Sequence, residues 1–335
     1  MLKDKHILIT GAAGFIGWRF TKMAARLGAH AIAVDSLPHF LSHAEHLPWP
    51  DGVAMLEREE ISDWLAARPK VDAIVHLGAC TDTMLTDRET FRHLNLEASK
   101  TLWRFATEKQ IPFVYASSAA TYGAMESGFS DEPRLIPSLE PLNPYGESKQ
   151  QFDLWVLEQL HLGSTPPVWS GFKFFNVYGF GERHKGRMAS VFLHAFDQIR
   201  QTGKVRLFES ERTDILHGEQ KRDFIHVGDA VSVLRFALET PIRQGIYNLG
   251  TGQARTFNDL AAVAFRALGV PSSIEYFQMP RSLSERYQYF TQADLSRLHS
   301  VGYKSAFQSL EEGGGRYMRQ LLHFAETGTA PELFD

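Results

Sequence analysis

The chain has 335 residues, 44% hydrophobic and 22% charged, a globular balance that accommodates one large α/β unit or two domains sharing a cleft and excludes a stapled mini-protein. No window approaches the ~18 unbroken apolar residues of a membrane span, and a net charge of -4 gives no reason to expect a nucleic acid or a membrane as partner. One cysteine, Cys80, permits neither an internal disulfide nor a thiolate metal site; a metal-free enzyme is expected, and the charged start running straight into an apolar strand places it in the cytoplasm.

Strand-length apolar runs alternate with helical patterns through the first half, as in a doubly wound parallel sheet. The first strand, His6–Thr10, enters Gly11-Ala12-Ala13-Gly14-Phe15-Ile16-Gly17, and a helix is expected over 15–27. Glycines at three-residue spacing between a strand and a helix suit a dinucleotide turn. Gly11 allows the turn, Gly14 lets the backbone approach a pyrophosphate, and Gly17 lets the helix pack on the strand. The helix N-terminus adds amide N–H groups for phosphate. The second strand, His30–Asp35, ends in a carboxylate placed to accept hydrogen bonds from the adenosine ribose. Ser36, Leu37, Pro38 and His39 follow; with no Arg or Lys there for a 2′-phosphate, these residues alone favour NAD. A third strand over 72–79 carries Leu77, Gly78, Ala79 and Cys80 toward the cofactor, and Cys80 reads as a wall of that site rather than a nucleophile.

A helix over 87–108 leads to a strand over 112–118 that ends in Ser117-Ser118, ahead of the turn Thr121-Tyr122-Gly123. The next helix, over 145–160, opens with Tyr145-Gly146-Glu147-Ser148-Lys149, a spacing that puts phenol and ammonium on one face. A neighbouring cation lowers a tyrosine from its reference of about 10, which suits a general base. Such a pair also occurs on ordinary solvated helix faces; the context is Ser118, whose hydroxyl can orient a substrate alcohol or carbonyl. With a strand over 168–177, residues 1–175 read as an NAD(P)-binding Rossmann domain.

Beyond Gly179 come a helix over 188–201, a strand at Val205–Phe208 and a polar stretch over 209–221. Strands over 223–227 and 245–250 have buried composition, so 223–252 are expected to rejoin the main sheet. Residues 176–222 and 253–326, with a helix over 310–325, then form a smaller interleaved substrate domain, and 327–335 a loose tail. Arg222 offers a guanidinium fork suited to a diphosphate, or else a salt bridge to Asp223 or Glu219.

The glycine motif, Asp35, Ser118 and the Tyr145/Lys149 pair resemble the extended short-chain dehydrogenase/reductases that act on nucleotide sugars. More closely, Tyr115-Ala116-Ser117-Ser118-Ala119-Ala120-Thr121-Tyr122-Gly123, Phe174-Phe175-Asn176-Val177-Tyr178-Gly179, His184-Lys185-Gly186-Arg187-Met188-Ala189-Ser190, Arg222-Asp223-Phe224 and Arg286-Tyr287-Gln288-Tyr289-Phe290-Thr291 are similar to the ADP-glyceromanno-heptose 6-epimerase family. The resemblance implies a tightly held nicotinamide cofactor, NADP by family habit, that oxidises the sugar at C6 and returns the hydride to the opposite face. ADP-D-glycero-D-manno-heptose would thereby become its L-glycero epimer, a lipopolysaccharide core precursor, and the enzyme would be a homo-oligomer. It implies Tyr145 and Lys185 as the acid/base pair. Lys185, among Gly179, Gly181 and Gly186, otherwise reads as a loop lysine and needs burial or a nearby cation such as Lys149 to act as a base.

The same resemblance implies cofactor contacts from Phe15, Ile16, Asp35, Ser36, Leu77, Gly78, Ala79, Cys80, Thr81, Lys149, Val177 and Lys185. Sugar-nucleotide contacts would come from Ser118, Asn176, Arg187, His194, Phe208, Glu209, Ser210, Glu211, Arg222 and Tyr287. A 4,6-dehydratase would need proton-carrying side chains where Ala119-Ala120 stand. A UDP-hexose 4-epimerase needs only the serine, tyrosine and lysine and is countered by the segment from His184 to Ser190. A non-catalytic NAD(P) sensor would be expected to have lost Tyr145 or Lys149.

Overall fold

A computed structural model describes residues 2–44, 47–240, 242, 244–281 and 287–333; Arg286 and the last two residues of the expected tail lie outside the described residues. The strands are β1 (His6–Thr10), β2 (His30–Asp35), β3 (Ala54–Glu57), β4 (Ala73–His76), β5 (Phe113–Ser118), β6 (Trp169–Phe174), β7 (Asn176–Tyr178), β8 (Val205–Phe208), β9 (Lys221–His226), β10 (Gly245–Leu249), β11 (Ala254–Thr256) and β12 (Ile274–Phe277). Seven of them form a parallel sheet in the order β10-β6-β5-β4-β1-β2-β3. The order reverses between β1 and β4, and open α/β sheets bind ligands at such a point, beyond the carboxyl ends of the strands.

Both faces of the sheet are covered, so its inner strands read as continuous apolar runs. Successive side chains still serve opposite cores. Ile7, Ile9, Val75 and Val114 pack with Phe20 of α1 (Phe15–Arg26) on one face, while Leu8, Ile74 and Phe113 pack with Trp103 and Phe152 on the other. Behind that second face lie α5 (Ala98–Lys109) and α6 (Pro144–His161), after the shorter helices α2 (Leu37–Ala44), α3 (Ile61–Ala66) and α4 (Arg88–Phe91). A further cluster around Phe192, Leu260, Val263, Tyr317 and Met318 joins α7 (Val191–Thr202), α9 (Phe257–Leu268) and the C-terminal helix Leu310–Thr327. Among the described residues no helix is long and apolar enough to cross a membrane.

Several boundaries differ from the sequence reading. The run over 168–177 breaks at Phe175: β6 belongs to the large sheet, and β7 starts a second sheet in the order β11-β9-β7. Of the two strands expected to return to the large sheet, β10 does so beside β6, but β9 pairs with β7 and β11 instead. Helix α8 (Val227–Glu239) connects them and packs beside α1.

Asp223 of β9 stitches these parts together. Its buried carboxylate accepts from Thr251 N (2.7 Å), Thr251 Oγ1 (2.7 Å), Gly252 N (2.9 Å) and Ala293 N (3.0 Å). Removing an acceptor from buried donors costs about 1–3 kcal/mol for each group left unpaired. Asp223→Ala should therefore lower stability by about 3 kcal/mol or more in urea denaturation followed by tryptophan fluorescence; a loss within experimental error would show that the carboxylate holds nothing in place.

Candidate active site

The glycine turn sits against the end of β4. Gly11 has φ +66°, and a Cβ there would lie 2.6 Å from Gly78 N, while one at Gly17 would collide with the Gly11 carbonyl. Gly14 caps α1 in an extended conformation with no side-chain cap, which leaves the first amide N–H groups of the helix directed into the crevice. Asp35 closes the cradle: Oδ2 accepts from Ala13 N at 3.0 Å, and Oδ1 from Ser36 N and His39 Nδ1, both at 2.8 Å. The bond to Asp35 raises the His39 pKa, with burial acting in opposition. Asp35 thus has a basic neighbour one helical turn away, although neither Arg nor Lys stands there.

At the end of β4, Leu77, Gly78, Ala79 and Cys80 are half-buried and Thr81 is exposed. Asn95 fixes this wall: its Oδ1 accepts from Cys80 N at 2.8 Å, and its Nδ2 donates to Cys80 O at 3.0 Å and to Ser148 Oγ at 2.9 Å. Ser148 Oγ in turn donates to Tyr145 O at 2.7 Å. Asn95 lies in a π-helical turn, Arg92–Glu97, between α4 and α5, a bulge that aims one side chain out of the regular register. Sequence reading missed it because a π turn leaves no periodic signature. Beneath the wall, the buried His76 lies 2.6 Å from Thr10 Oγ1 and 2.7 Å from Ser99 Oγ; burial, with help from the Lys149 charge, drives it down to about 3.

Asn143 and Pro144 start α6, the asparagine Oδ1 accepting from Gly146 N at 2.8 Å and the proline occupying a first-turn site that needs no donor. Tyr145 consequently emerges in the first turn, close enough to Ser118 at the end of β5 for the serine to favour its phenolate. Lys149, one turn on, is buried and donates to Ala116 O at 3.0 Å; burial lowers it to about 8, with Asp153 opposing. The lowered tyrosine expected from the spacing is not observed. Burial raises Tyr145, with Ser118 acting in opposition, and the Lys149 ammonium is directed at a backbone carbonyl rather than at the phenol.

Lys185 sits in a 3₁₀ segment, Arg183–Met188, opposite the glycine turn. Its ammonium stands 5.3 Å from the Phe15 ring centre and 3.6 Å from Glu182 Oε2. Glu182 is itself buried and accepts from Ser190 N (2.7 Å), Ser190 Oγ (2.5 Å) and Tyr317 OH (3.1 Å). The segment is thereby tied to the C-terminal helix. Arg187 reaches back to Asp82 at 2.6 Å, just past the Cys80 wall.

The other expected contacts gather at the edges of β8 and β9. Arg222 is buried, its guanidinium 5.0 Å from the Tyr287 ring and 5.8 Å from Phe257. The alternative salt bridge is not formed: Asp223 is occupied as described, and Glu219 accepts from Asn258 Nδ2 at 2.6 Å. Burial lowers the Arg222 pKa, with Tyr287 opposing. Phe208 meets Tyr287 edge-on at 6.2 Å. Glu209 N donates to Phe277 O, Ser210 N to His217 Nδ1 and Glu211 N to Tyr289 OH, so this loop is held from both sides. Asn176 is exposed and Val177 half-buried on β7, and His194 is half-buried on α7. Gln288 Nε2 donates to Gly123 O at 2.5 Å, linking this group of residues to the turn beyond Ser118.

Comparison with known proteins gives a consistent picture. A family model described as the NAD dependent epimerase/dehydratase family matches residues 7–250. The chain is 39% identical to an ADP-L-glycero-D-manno-heptose-6-epimerase of Fusobacterium nucleatum over 333 residues, covering 94% of this chain and 98% of the relative. It is 40% identical to the protein of the same name from Nitratidesulfovibrio vulgaris over 326 residues, covering 95% and 98%. The crystal structure of the Helicobacter pylori ADP-L-glycero-D-manno-heptose-6-epimerase shares the fold with a TM-score of 0.79 at 24% identity, covering 96% of this chain and 97% of that one. A UDP-N-acetylglucosamine 4-epimerase from Methanobrevibacter ruminantium does so with a TM-score of 0.80 at 20% identity, covering 96% and 99%.

In an NMR titration the His39 ring should lose its proton above the reference of about 6.5, and Asp35→Asn should bring it back to or below that value. A raised folded-state pKa stabilises the fold fully below the unfolded value and loses its contribution as pH rises through the folded one. Asp35→Asn should accordingly flatten stability against pH in that window; an unchanged profile would show that the pair carries no coupling.

Proposed function

Because the chain belongs to the NAD dependent epimerase/dehydratase family, and within it to the ADP-L-glycero-D-manno-heptose-6-epimerases, we propose that it inverts C6 of ADP-D-glycero-D-manno-heptose using the residues of the crevice. The observation that carries the chemistry is Tyr145 in the first turn of α6, beside Ser118 and one helical turn from the buried ammonium of Lys149. Residues 1–174 with β10 hold the cofactor on the large sheet, and the sheet of β11, β9 and β7 with the elements packed on it holds the sugar nucleotide. A nicotinamide cofactor fits the cradle, since Gly11 and Gly17 stand where a Cβ has no room and α1 presents open amides. When bound, it supplies the two-electron acceptor and donor that C6 inversion needs.

The protein's own part is proton transfer and orientation. Ser118 holds the C6 oxygen, and Tyr145 takes its proton once the Lys149 ammonium turns from Ala116 O toward the phenol, because a cation there favours phenolate. Lys185, on the opposite wall, serves the C6 group in its second orientation. Arg222, buried and without a carboxylate partner among the described residues, receives the diphosphate, a use that its fork geometry and desolvation favour. Dehydration of the sugar is disfavoured because Ala119 and Ala120 follow Ser118, and methyl groups move no protons.

Asp35 supports NAD, and the His39 imidazolium beside it supports NADP below its raised pKa. NADP should therefore gain on NAD as pH falls, and His39→Ala should abolish that trend. A competition of the two nucleotides for refolding protein, read across pH, tests this; a flat ratio in the native chain overturns it.

Tyr145→Phe and Lys185→Met should each retain bound nucleotide while epimerisation falls by about 10²-fold or more. The direct experiment identifies the nucleotide released on denaturation and follows C6 configuration of ADP-heptose by NMR with the native protein. Near-native turnover in either variant would remove that residue from the proton path.

A further inference from the structure

Directly beneath the reacting groups lies a buried ion pair that the proton path does not use. Lys173 of β6 and Asp153 of α6 are both fully buried, with Nζ 2.7 Å from Oδ2. Asp153 Oδ2 also accepts from Ser117 Oγ at 2.7 Å, and Oδ1 from Tyr115 OH at 3.0 Å. Lys173 donates a second bond to Thr121 Oγ1 at 2.7 Å and stands 5.4 Å from the Tyr122 ring centre. Thr121 Oγ1 donates to the carbonyl of Ser118 at 2.8 Å. A chain of bonds thus runs from the catalytic helix, through the pair, to the backbone of the catalytic serine.

A buried pair is weak evidence for stability, since an apolar replacement is often at least as stable. What it supplies here is placement and charge. On α6, Tyr145, Lys149 and Asp153 follow at intervals of four and share one face. We propose that Asp153 and Lys173 are positioning residues for C6 epimerisation, holding Ser118 and Lys149 in register and setting the charge that Lys149, and through it Tyr145, experiences. The proposal rests on the epimerase reading above.

The charge argument follows from the surroundings of Lys149. From β4 it faces His76, which burial keeps neutral; from its own helix it faces Asp153, behind which stands Lys173, with Tyr145 one turn before it on the same helix. Asp153 opposes the burial that lowers Lys149. Without the carboxylate, Lys149 would lose its proton at lower pH, and Lys173 would add an uncompensated positive charge nearby.

The test is the pH profile of kcat and KM for ADP-heptose in the nucleotide-loaded protein. Native turnover is the control, and its absence would sink the epimerase reading rather than the pair. In Asp153→Asn the alkaline limb of kcat should move down by about one pH unit and kcat should fall by about tenfold to a hundredfold, with KM within about twofold. In the double variant Asp153→Asn with Lys173→Met, which also removes the uncompensated charge, the limb should lie between the single variant's and the native position while kcat stays low, since Thr121 has lost its donor. An unmoved limb with native kcat in folded Asp153→Asn overturns the proposal. If that single variant fails to fold, the double variant decides: a low kcat with a limb below the native one supports the proposal, and native kcat or a native limb overturns it.

Discussion

The crevice depends on how closely two stretches of backbone approach at the point where strand order reverses. Gly11 meets Gly78 at a distance that leaves no space for a side chain, and Gly17 brings α1 down onto the turn in the same way. That double contact fixes the separation of the β1 and β4 ends. Every later element of the site is measured from it: the Cys80 wall continues from Gly78, Asn95 grips that wall, and Ser148 passes the register to the catalytic helix. Asp35 reinforces it from the other side through Ala13 N.

Charge is arranged around this backbone frame by desolvation more than by proximity. Burial keeps His76 neutral and lowers Lys149 to about 8, so at the end of β5 the Lys149 ammonium stands beside an uncharged imidazole. Several buried charges are paired or stacked: Lys173 with Asp153, Glu182 among Ser190, Tyr317 and Lys185, Arg222 against Tyr287. Arg222 is the informative case, because among the described residues it has no carboxylate and is held by the carbonyl of Lys221 and by aromatic faces, whose attraction for a cation is modest. A group left in that condition is suited to an anion that arrives from outside.

Much of this was legible in the sequence because local chemistry carried it. The glycine spacing, the carboxylate ending β2 and the tyrosine and lysine four apart all act within one strand, turn or helix. What could not be read was sheet membership. β6 and β9 are both nearly continuous buried runs, and a buried run does not state which sheet it joins. The edge strand β3, Ala54-Met55-Leu56-Glu57, has only four residues, none of them buried, too short an apolar run to mark a strand. Tertiary partners were equally hidden: nothing in the spacing of Asp153 and Lys173 predicts that they meet, nor that Lys149 directs its ammonium at Ala116 O and leaves Tyr145 raised.

The passage between sheets at Phe175 has a consequence for how such a molecule can be cut or recombined. The chain leaves the large sheet after β6, returns to it at β10, and leaves again for β11. No single peptide bond therefore separates a self-contained nucleotide-binding half from the remainder. Grafting a new sugar specificity onto this scaffold requires exchanging at least two discontinuous stretches while keeping β10 in place, and a simple terminal fusion of one half to a foreign partner would leave the edge of β6 bare.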